Sequence, residues 1–281
     1  MAFQTIGIVG AGTMGVGIAQ TAATAGVNVV LVDVSDAVLQ QAMQHLTKNL
    51  DRQVKAEKLK QSDKDAALAR VRTTTAYADL AAADAVIEAA TENEGLKTQI
   101  LKQIAAAVRP DTIIGTNTSS ISITKLASTV SNPGRFVGMH FFNPVPLMKL
   151  VEVIRGLQTT DETHDRVTQL AEQLGKTLIS VKNTPGFVVN RVLLPMINEA
   201  FFVLAEGGRA EDIDEGMKLG CNHPMGPLAL ADLIGLDVVH SIMEVFHRDF
   251  ADSKYRPCPL LKEMVDAGYL GRKSGRGVYH Y

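Results

Sequence analysis

The sequence predicts a two-domain α/β protein, in which a mostly parallel sheet domain over residues 1–183 precedes a smaller all-α domain over residues 184–281. In the first part, short runs rich in Ile and Val alternate with longer helical patterns, which is typical of a parallel sheet packed between helices. The pattern changes near Asn183–Asn190, where Pro185 and Gly186 interrupt it, and only helical periodicity follows. A length of 281 residues suits one large or two medium domains.

The predicted elements follow from these runs in order. The strands of the first domain are predicted at Thr5–Gly10, Asn28–Asp33, Asp84–Ala90, Thr112–Asn117, Arg135–His140, Lys149–Ile154 and Thr177–Val181. Helical patterns cover about Met14–Ala25 and Ser35–Lys58, and Ser62 is the expected N-cap of a third helix. In the second domain, helices are predicted at Phe187–Gly207, Glu211–Leu219, Leu236–Phe250 and Leu260–Ala267.

Composition excludes several classes of function. The chain is 46% apolar with a net charge of −2, so it carries no basic surplus that would favour nucleic acid. No apolar run reaches the roughly 20 residues of a membrane span, and the start lacks the features of a signal peptide. The two cysteines, Cys221 and Cys258, form no metal-binding or disulfide pattern. We therefore expect a cytoplasmic protein without a bound metal.

The segment Gly10–Gly15 reads G-x-G-x-x-G between a predicted strand and a predicted helix. The first glycine allows a tight turn, the second lets a pyrophosphate approach the backbone, and the third lets helix and strand pack closely. The helix N-terminus would offer free N–H groups to the phosphates. This context predicts a Rossmann-type dinucleotide-binding domain. The predicted contacts are Gly10, Gly12, Thr13, Met14 and Gly15.

Acidic residues follow two of the predicted strands. Asp33 ends the second strand, where a carboxylate can accept both ribose hydroxyls of NAD and would repel the 2′-phosphate of NADP. Glu88 and Glu92 lie at or after the end of a later strand, and Lys97, one helical turn beyond Glu92, could pair with it. A solvated helix start explains these last three charges equally well.

His140 is, of the seven histidines, the one at the carboxyl end of an apolar strand in the first domain. Glu152 interrupts the apolar run LVEVI, and a buried carboxylate needs a cationic or hydrogen-bonding partner. His140 is the natural partner across the turn Asn143–Leu147. A carboxylate on one imidazole nitrogen fixes the tautomer, so that the other nitrogen can act as a base. Such a base is needed to oxidise an alcohol to a ketone.

Uncharged polar residues follow another strand in the run GTNTSS. Asn117, Ser119 and Ser120 could hold a substrate oxygen, although either serine could instead cap a helix. Asn190 opens the first long helix of the second domain and could donate its amide to a developing alkoxide. A purely structural role for Asn190 is supported equally well.

Taken together, the segments GAGTMG, TNTSS, GMHFFNPVPLMKLVEVIRG, TPGFVVNR and NHPMGPLALADLIGLD resemble the 3-hydroxyacyl-CoA dehydrogenase family. The resemblance extends to the tail YLGRKSGRGVYHY, covers both domains in family order, and is nearest to the bacterial short-chain members. It implies an enzyme that uses NAD to interconvert (S)-3-hydroxybutyryl-CoA and acetoacetyl-CoA. It also implies a homodimer formed through the helical domain, which would provide one wall of the substrate cleft.

The resemblance implies a role for each matching residue. His140 is the base and Glu152 its partner, while Ser119 and Asn190 contact the reacting oxygen and the thioester region. Asn143 helps to hold nicotinamide and substrate. The remaining implied cofactor contacts are Asp33, Glu92, Lys97, Asn117 and Ser119.

In relatives, basic residues on the long second helix grip the phosphates and pantetheine of coenzyme A. The matching positions here are Arg52, Lys55 and Lys58. Many short-chain relatives carry two adjacent lysines, whereas the second position here is Ala56, which puts the strength of CoA binding in question. A solvated helix face is the alternative explanation of these charges.

Two other functions fit part of the sequence. One is a dehydrogenase of similar build that acts on free hydroxy acids or sugar acids, which would not need a basic CoA-binding helix. The other is a non-enzymatic NAD-binding protein, which predicts a damaged His–Glu pair. His140 and Glu152 are both present, and no basic DNA-binding patch accompanies them.

Overall fold

The strands of the first unit are the short Val- and Ile-rich runs, and most of their successive residues are buried, as in sheets covered on both faces. The computed structural model describes residues 2–281. By its internal contacts the chain divides after Asn183, and the second unit is Thr184–Tyr281. The strands are β1 (Thr5–Val9), β2 (Asn28–Val32), β3 (Val71–Thr74), β4 (Ala85–Glu88), β5 (Ile113–Thr116), β6 (Phe136–Phe141), β7 (Leu150–Arg155) and β8 (Thr177–Lys182).

These strands form one sheet in the order β3-β2-β1-β4-β5-β6-β7-β8. All neighbouring strands are parallel except β6 and β7, which are antiparallel. The first six strands thus have the order of dinucleotide-binding domains, with the switch point between β1 and β4. Ligands of such sheets bind at the carboxyl ends of the strands beside this point, so the sheet locates the site.

The helices of the first unit follow apolar periodicity. They are α1 (Thr13–Thr24), α2 (Asp36–Lys55), α3 (Gln61–Ala69), α4 (Glu94–Ala107), α5 (Ile123–Ala127) and α6 (Asp161–Gln173). Of these, α4, α5 and α6 also have side-chain N-caps. In α2 the buried residues recur at helical spacing, at Leu39, Ala42, Leu46 and Leu50. The side chain of Asn93 accepts the Leu96 N–H at the start of α4, which satisfies one of the free amides there.

The second unit consists of helices around its own core. Its helices are α7 (Val189–Ala205), α8 (Ala210–Cys221), α9 (Pro227–Ile234), α10 (Leu236–Phe250) and α11 (Pro259–Asp266). Phe201, Met243 and Phe246 are among the fully buried residues of this core. Asp232 fixes the chain end because its carboxylate accepts the N–H groups of Val278 and Tyr279.

The fold class predicted from the sequence is therefore confirmed, with local corrections. The α2 helix ends at Lys55, so Lys58 lies beyond it. Ser62 is not an N-cap, because α3 already begins at Gln61. The edge strand β3 was not predicted, since its residues VRTT are half-exposed and form no apolar run. Among residues 2–281, none of the helices has the length and apolarity needed to cross a membrane.

Candidate active site

The glycine loop between β1 and α1 leaves one side open for a ligand. Gly10 has φ +106°, and a Cβ there would lie 2.5 Å from Cα of Ala90. A Cβ on Gly15 would lie 1.8 Å from the Gly10 oxygen. Gly12, by contrast, is exposed, and a Cβ there would meet nothing within 4 Å. Packing within the protein thus accounts for Gly10 and Gly15, whereas Gly12 leaves room for a phosphate to approach the backbone.

Thr13 and Met14, the first two residues of α1, lie next to this open side. The N-cap of α1 is Gly12, and no side chain caps the helix. The first amides of the helix are therefore oriented to bind an anion. The loop fits the pyrophosphate of a dinucleotide.

Asp33 lies directly after β2 and is anchored to the glycine loop. One carboxylate oxygen accepts the Ala11 N–H at 2.7 Å, and the other accepts the Val34 N–H at 2.7 Å. Each oxygen keeps a further lone pair, so the carboxylate can still accept ribose hydroxyls. The same anion, held in place by the loop, would repel a 2′-phosphate.

Lys97 pairs with Glu88, and not with Glu92 as its helical spacing suggested. Its Nζ lies 2.5 Å from Glu88 Oε2, and the side chains are 1% and 0% exposed. Thr116 donates to the same carboxylate oxygen at 2.6 Å, and the Ala90 N–H donates to the other at 2.9 Å. This buried network joins the ends of β4 and β5 to α4.

Glu92 instead collects hydrogen bonds from the loop after β5. A single oxygen, Oε1, accepts from Thr118 Oγ1 at 2.8 Å, from Ser120 Oγ at 3.1 Å, and from both N and Oγ of Ser119 at 2.8 and 2.9 Å. Since its hydroxyl proton is directed to Glu92, Ser119 presents acceptor lone pairs to other groups. Ser119 can donate to a substrate oxygen only after it leaves Glu92.

Asn117 serves the neighbouring strand. Its side-chain Oδ1 accepts the backbone N–H of Phe141 at 2.8 Å. Its own backbone N–H donates to the backbone carbonyl oxygen of Glu88 at 2.7 Å. The residue before Phe141 is His140, so Asn117 fixes the end of the strand that carries the histidine. This backbone contact was not predicted from the sequence, and the predicted contact with the cofactor stays a prediction.

His140 and Glu152 lie directly opposite each other in the antiparallel register of β6 and β7. His140 Nδ1 is 2.6 Å from Glu152 Oε2, and the two residues are 7% and 0% exposed. The pairing predicted from the sequence is therefore present. It holds the imidazole by Nδ1, so any proton exchange between this ring and a bound substrate would involve Nε2.

The turn after β6 forms one wall of a cleft of about 310 Å³. Asn143, Thr13 and Arg52, which were assigned to cofactor or substrate, all line this cleft. The exposed residues His45 and Lys48 line it as well, on the same side of α2 as Arg52. Neither Lys55 nor Lys58 lines it. Of the three predicted CoA contacts, only Arg52 therefore shares this cleft with Asn143.

Asn190 is the second residue of α7 and is half-buried. The guanidinium of the next residue, Arg191, lies 3.6 Å from the ring centre of Phe250 and 4.6 Å from that of Tyr255. These cation–π contacts hold the first turn of α7. The predicted contact of Asn190 with substrate stays a prediction.

Two residues of this region were missed by sequence reasoning. Gly17 permits the turn after β6 to pack on α1, because a Cβ there would lie 2.9 Å from Cβ of Val145. Lys176 donates to backbone oxygens of the same turn. A glycine inside a helical pattern was a usable signal for close packing, whereas Lys176 stood out in no sequence pattern.

Models of known families match nearly the whole chain. The NAD-binding domain of 3-hydroxyacyl-CoA dehydrogenase matches residues 5–184, and the C-terminal domain of the same enzyme matches residues 186–281.

Individual relatives agree over their full length. The chain is 51% identical to a probable 3-hydroxybutyryl-CoA dehydrogenase of Bacillus subtilis, covering 100% of this chain and 98% of the relative. It is also 51% identical to a 3-hydroxybutyryl-CoA dehydrogenase of Bradyrhizobium diazoefficiens, covering 99% and 95%. The crystal structure of (S)-3-hydroxybutyryl-CoA dehydrogenase PaaH1 from Ralstonia eutropha superposes with a TM-score of 0.99 at 63% identity, covering 100% and 99%.

Proposed function

Because this chain belongs to the 3-hydroxyacyl-CoA dehydrogenase family, we propose that it interconverts (S)-3-hydroxybutyryl-CoA and acetoacetyl-CoA with NAD. The observation that carries the proposal is the buried His140–Glu152 pair at the carboxyl end of β6, in an NAD-binding sheet. The names of the relatives at 51% and 63% identity support the short acyl chain.

His140 acts as base in the oxidation. Its Nε2 removes the proton of the 3-hydroxyl while carbon 3 loses a hydride, and the carbonyl forms from that C–O bond. NAD, when bound, supplies the hydride acceptor. Glu152 stabilises the imidazolium that results, since its carboxylate accepts a hydrogen bond from Nδ1–H. In reduction His140 returns the same proton to the carbonyl oxygen.

The glycine loop and Asp33 bind the cofactor. The open backbone at Gly12 and the N-terminus of α1 accommodate the pyrophosphate, and Asp33 accepts the ribose hydroxyls. The buried Lys97–Glu88 pair acts on this site through the backbone, because Glu88 accepts the Ala90 N–H beside Gly10. Glu92 orients the hydroxyl of Ser119, which in turn contacts substrate or cofactor.

The coenzyme A portion of the substrate is held electrostatically. Arg52 lines the same cleft as Asn143, and Lys48 adds a second positive charge to its lining. Lys55 and Lys58 are exposed and would add long-range attraction for the phosphates. We expect this arrangement to compensate for Ala56.

We also propose a cytoplasmic homodimer. The helices of the second unit expose large apolar side chains, among them Val192 at 68%, Leu219 at 77% and Leu233 at 49%. Contiguous exposed apolar surface is typical of an interface between subunits, and these side chains support the dimer that the family resemblance implies. Both cysteines are free thiols, which suits a reducing compartment. Light scattering after gel filtration gives the mass of the particle, and a monomer at micromolar concentration would contradict the dimer.

The substrate class is tested by following NADH absorbance with acetoacetyl-CoA and, in parallel, with free acetoacetate. We expect rapid oxidation with the thioester only, and little when NADPH replaces NADH. Arg52→Ala tests the contact with coenzyme A in the same assay. It should raise the KM for acetoacetyl-CoA without changing the KM for NADH. Turnover of free acetoacetate, or of neither compound, would contradict the proposal and support the free-acid or non-enzymatic alternatives.

A further inference from the structure

Lys176 carries a positive charge into the interior of the first unit. The residue is 8% exposed, and among residues 2–281 it makes no ion pair with a carboxylate. Burial lowers the pKa of its ammonium group, because the charged form loses hydration. A buried lysine without an anionic partner is costly, so its contacts indicate what it does.

Both polar contacts of the Lys176 side chain are with the turn that follows β6. Nζ donates to the backbone oxygen of Val145 at 2.5 Å and to that of Met148 at 2.8 Å. These oxygens lie three residues apart in the chain, so the ammonium draws the two halves of the turn together. Hydrogen bonds from a charged donor are stronger than those between neutral groups.

The turn is otherwise held by Val145, which is 1% exposed and belongs to the hydrophobic core of the first unit. The N–H groups of Leu147 and Met148 both donate to the Pro144 oxygen, and Val145 packs against Gly17 of α1. The side chains of Leu147 and Met148 are 71% and 41% exposed, so they contribute little burial. Lys176 is therefore the main polar restraint between the turn and the body of the unit.

The same turn, Val145 included, lines the cleft. Asn143, Pro144 and Pro146 line it together with Thr13 and Arg52. Asn143 stands two residues before Val145, so it belongs to the segment that Lys176 holds. The His140–Glu152 pair does not depend on it, because the register of β6 and β7 sets that pair.

We propose that Lys176 is a positioning residue of the active site, which holds the Asn143–Met148 turn in the conformation that binds substrate and cofactor. It touches neither ligand and takes no part in proton transfer. The proposal deepens the proposed function and rests on it for the identity of the ligands. Loss of the ammonium should weaken binding and leave the chemical step of the bound complex nearly unchanged.

The test compares Lys176→Met, which keeps the hydrocarbon length and removes the charge, with Lys102→Met, which removes an exposed lysine of α4. KM and kcat are measured with acetoacetyl-CoA and NADH well below the melting temperature, and NADH binding is titrated by fluorescence. Deuterium exchange reports on peptides over residues 142–149 and over β6. For Lys176→Met we expect KM to rise about tenfold with kcat within about threefold of wild type. Exchange should become faster in 142–149 and stay unchanged in β6, and Lys102→Met should match wild type.

Unchanged KM and unchanged NADH affinity in folded Lys176→Met would overturn the proposal, even if the melting temperature falls, because that result describes a lysine that only stabilises the fold. If Lys176→Met does not fold, Lys176→Gln, which keeps a neutral donor, is judged by the same criteria. If the wild-type enzyme fails to reduce acetoacetyl-CoA, the proposed function is refuted but the role of Lys176 is not. That role is then judged by NADH titration and deuterium exchange, which need no turnover.

Discussion

The carboxylate of Glu152 lies 2.6 Å from Nδ1 of His140 because the two residues face each other across the only antiparallel strand pair of the sheet in the described chain. Paired positions on neighbouring strands place their side chains on the same face. The acid–base pair therefore follows from strand register, and no loop has to close to form it.

Glu152→Gln tests the role of the carboxylate. The amide keeps the volume of the side chain and removes the charge that stabilises the imidazolium, so we expect kcat to fall by about 10²–10⁴-fold. Circular dichroism and NADH affinity should remain those of wild type. Activity equal to wild type over the whole pH range would show that Glu152 only packs.

Asp33→Ala tests cofactor selectivity. The substitution removes the acceptor of the ribose hydroxyls and the hydrogen bond to the Ala11 N–H, so the KM for NADH should rise. The ratio of kcat/KM for NADH over NADPH should fall, because the repulsion of the 2′-phosphate is lost. Asp36→Ala, at the exposed start of α2, is the matched control. An unaltered cofactor preference would place the selectivity elsewhere.

Lys97→Met tests the buried pair. The variant leaves the Glu88 carboxylate without its cation, and breaking such a pair costs about 3–5 kcal/mol of unfolding free energy. Adding Glu88→Gln removes the second charge and should recover part of this loss. Lys125→Met breaks the exposed pair with Glu94 and should cost no more than about 1 kcal/mol in urea unfolding. Equal costs for the two single variants would argue against the buried charge pair.

Tyr279→Phe tests the attachment of the chain end. Burial and the hydrogen bond to Asp214 raise the pKa of Tyr279 above its ordinary value of 10.0, since both disfavour the phenolate. The unfolded chain ionises first as pH rises above 10, so the stability due to Tyr279 is fully present below pH 10 and decreases above it. The difference in urea midpoint between wild type and Tyr279→Phe should shrink from pH 8 to pH 11. A constant difference would contradict this assignment.

Much of the site could be predicted because its residues belong to buried strands or to a motif with a fixed geometry. Glu152 was identifiable as a buried charge within an apolar run, and His140 by its place at a strand end. The glycine loop and Asp33 follow from the short βαβ unit that contains them. In each case the position within one element determines the direction of the side chain.

Contacts between elements could not be predicted in this way. Helical spacing suggested Glu92 as the partner of Lys97, but Glu88 is the fully buried carboxylate, and a buried charge has the greater need of a cation. Glu92 is free to bind the loop at Ser119 for the same reason. Lys176 directly precedes β8, and its side chain bonds to a turn about 30 residues earlier in the chain, at Val145. No local sequence pattern contains that information.

The central claim is that His140 is the acid–base group of an NAD-dependent dehydrogenase, and kcat for acetoacetyl-CoA reduction by His140→Ala tests it most directly. We predict a loss of about 10²–10⁴-fold, with NADH affinity close to that of wild type. Turnover at the wild-type rate would remove His140 from the mechanism and contradict the claim.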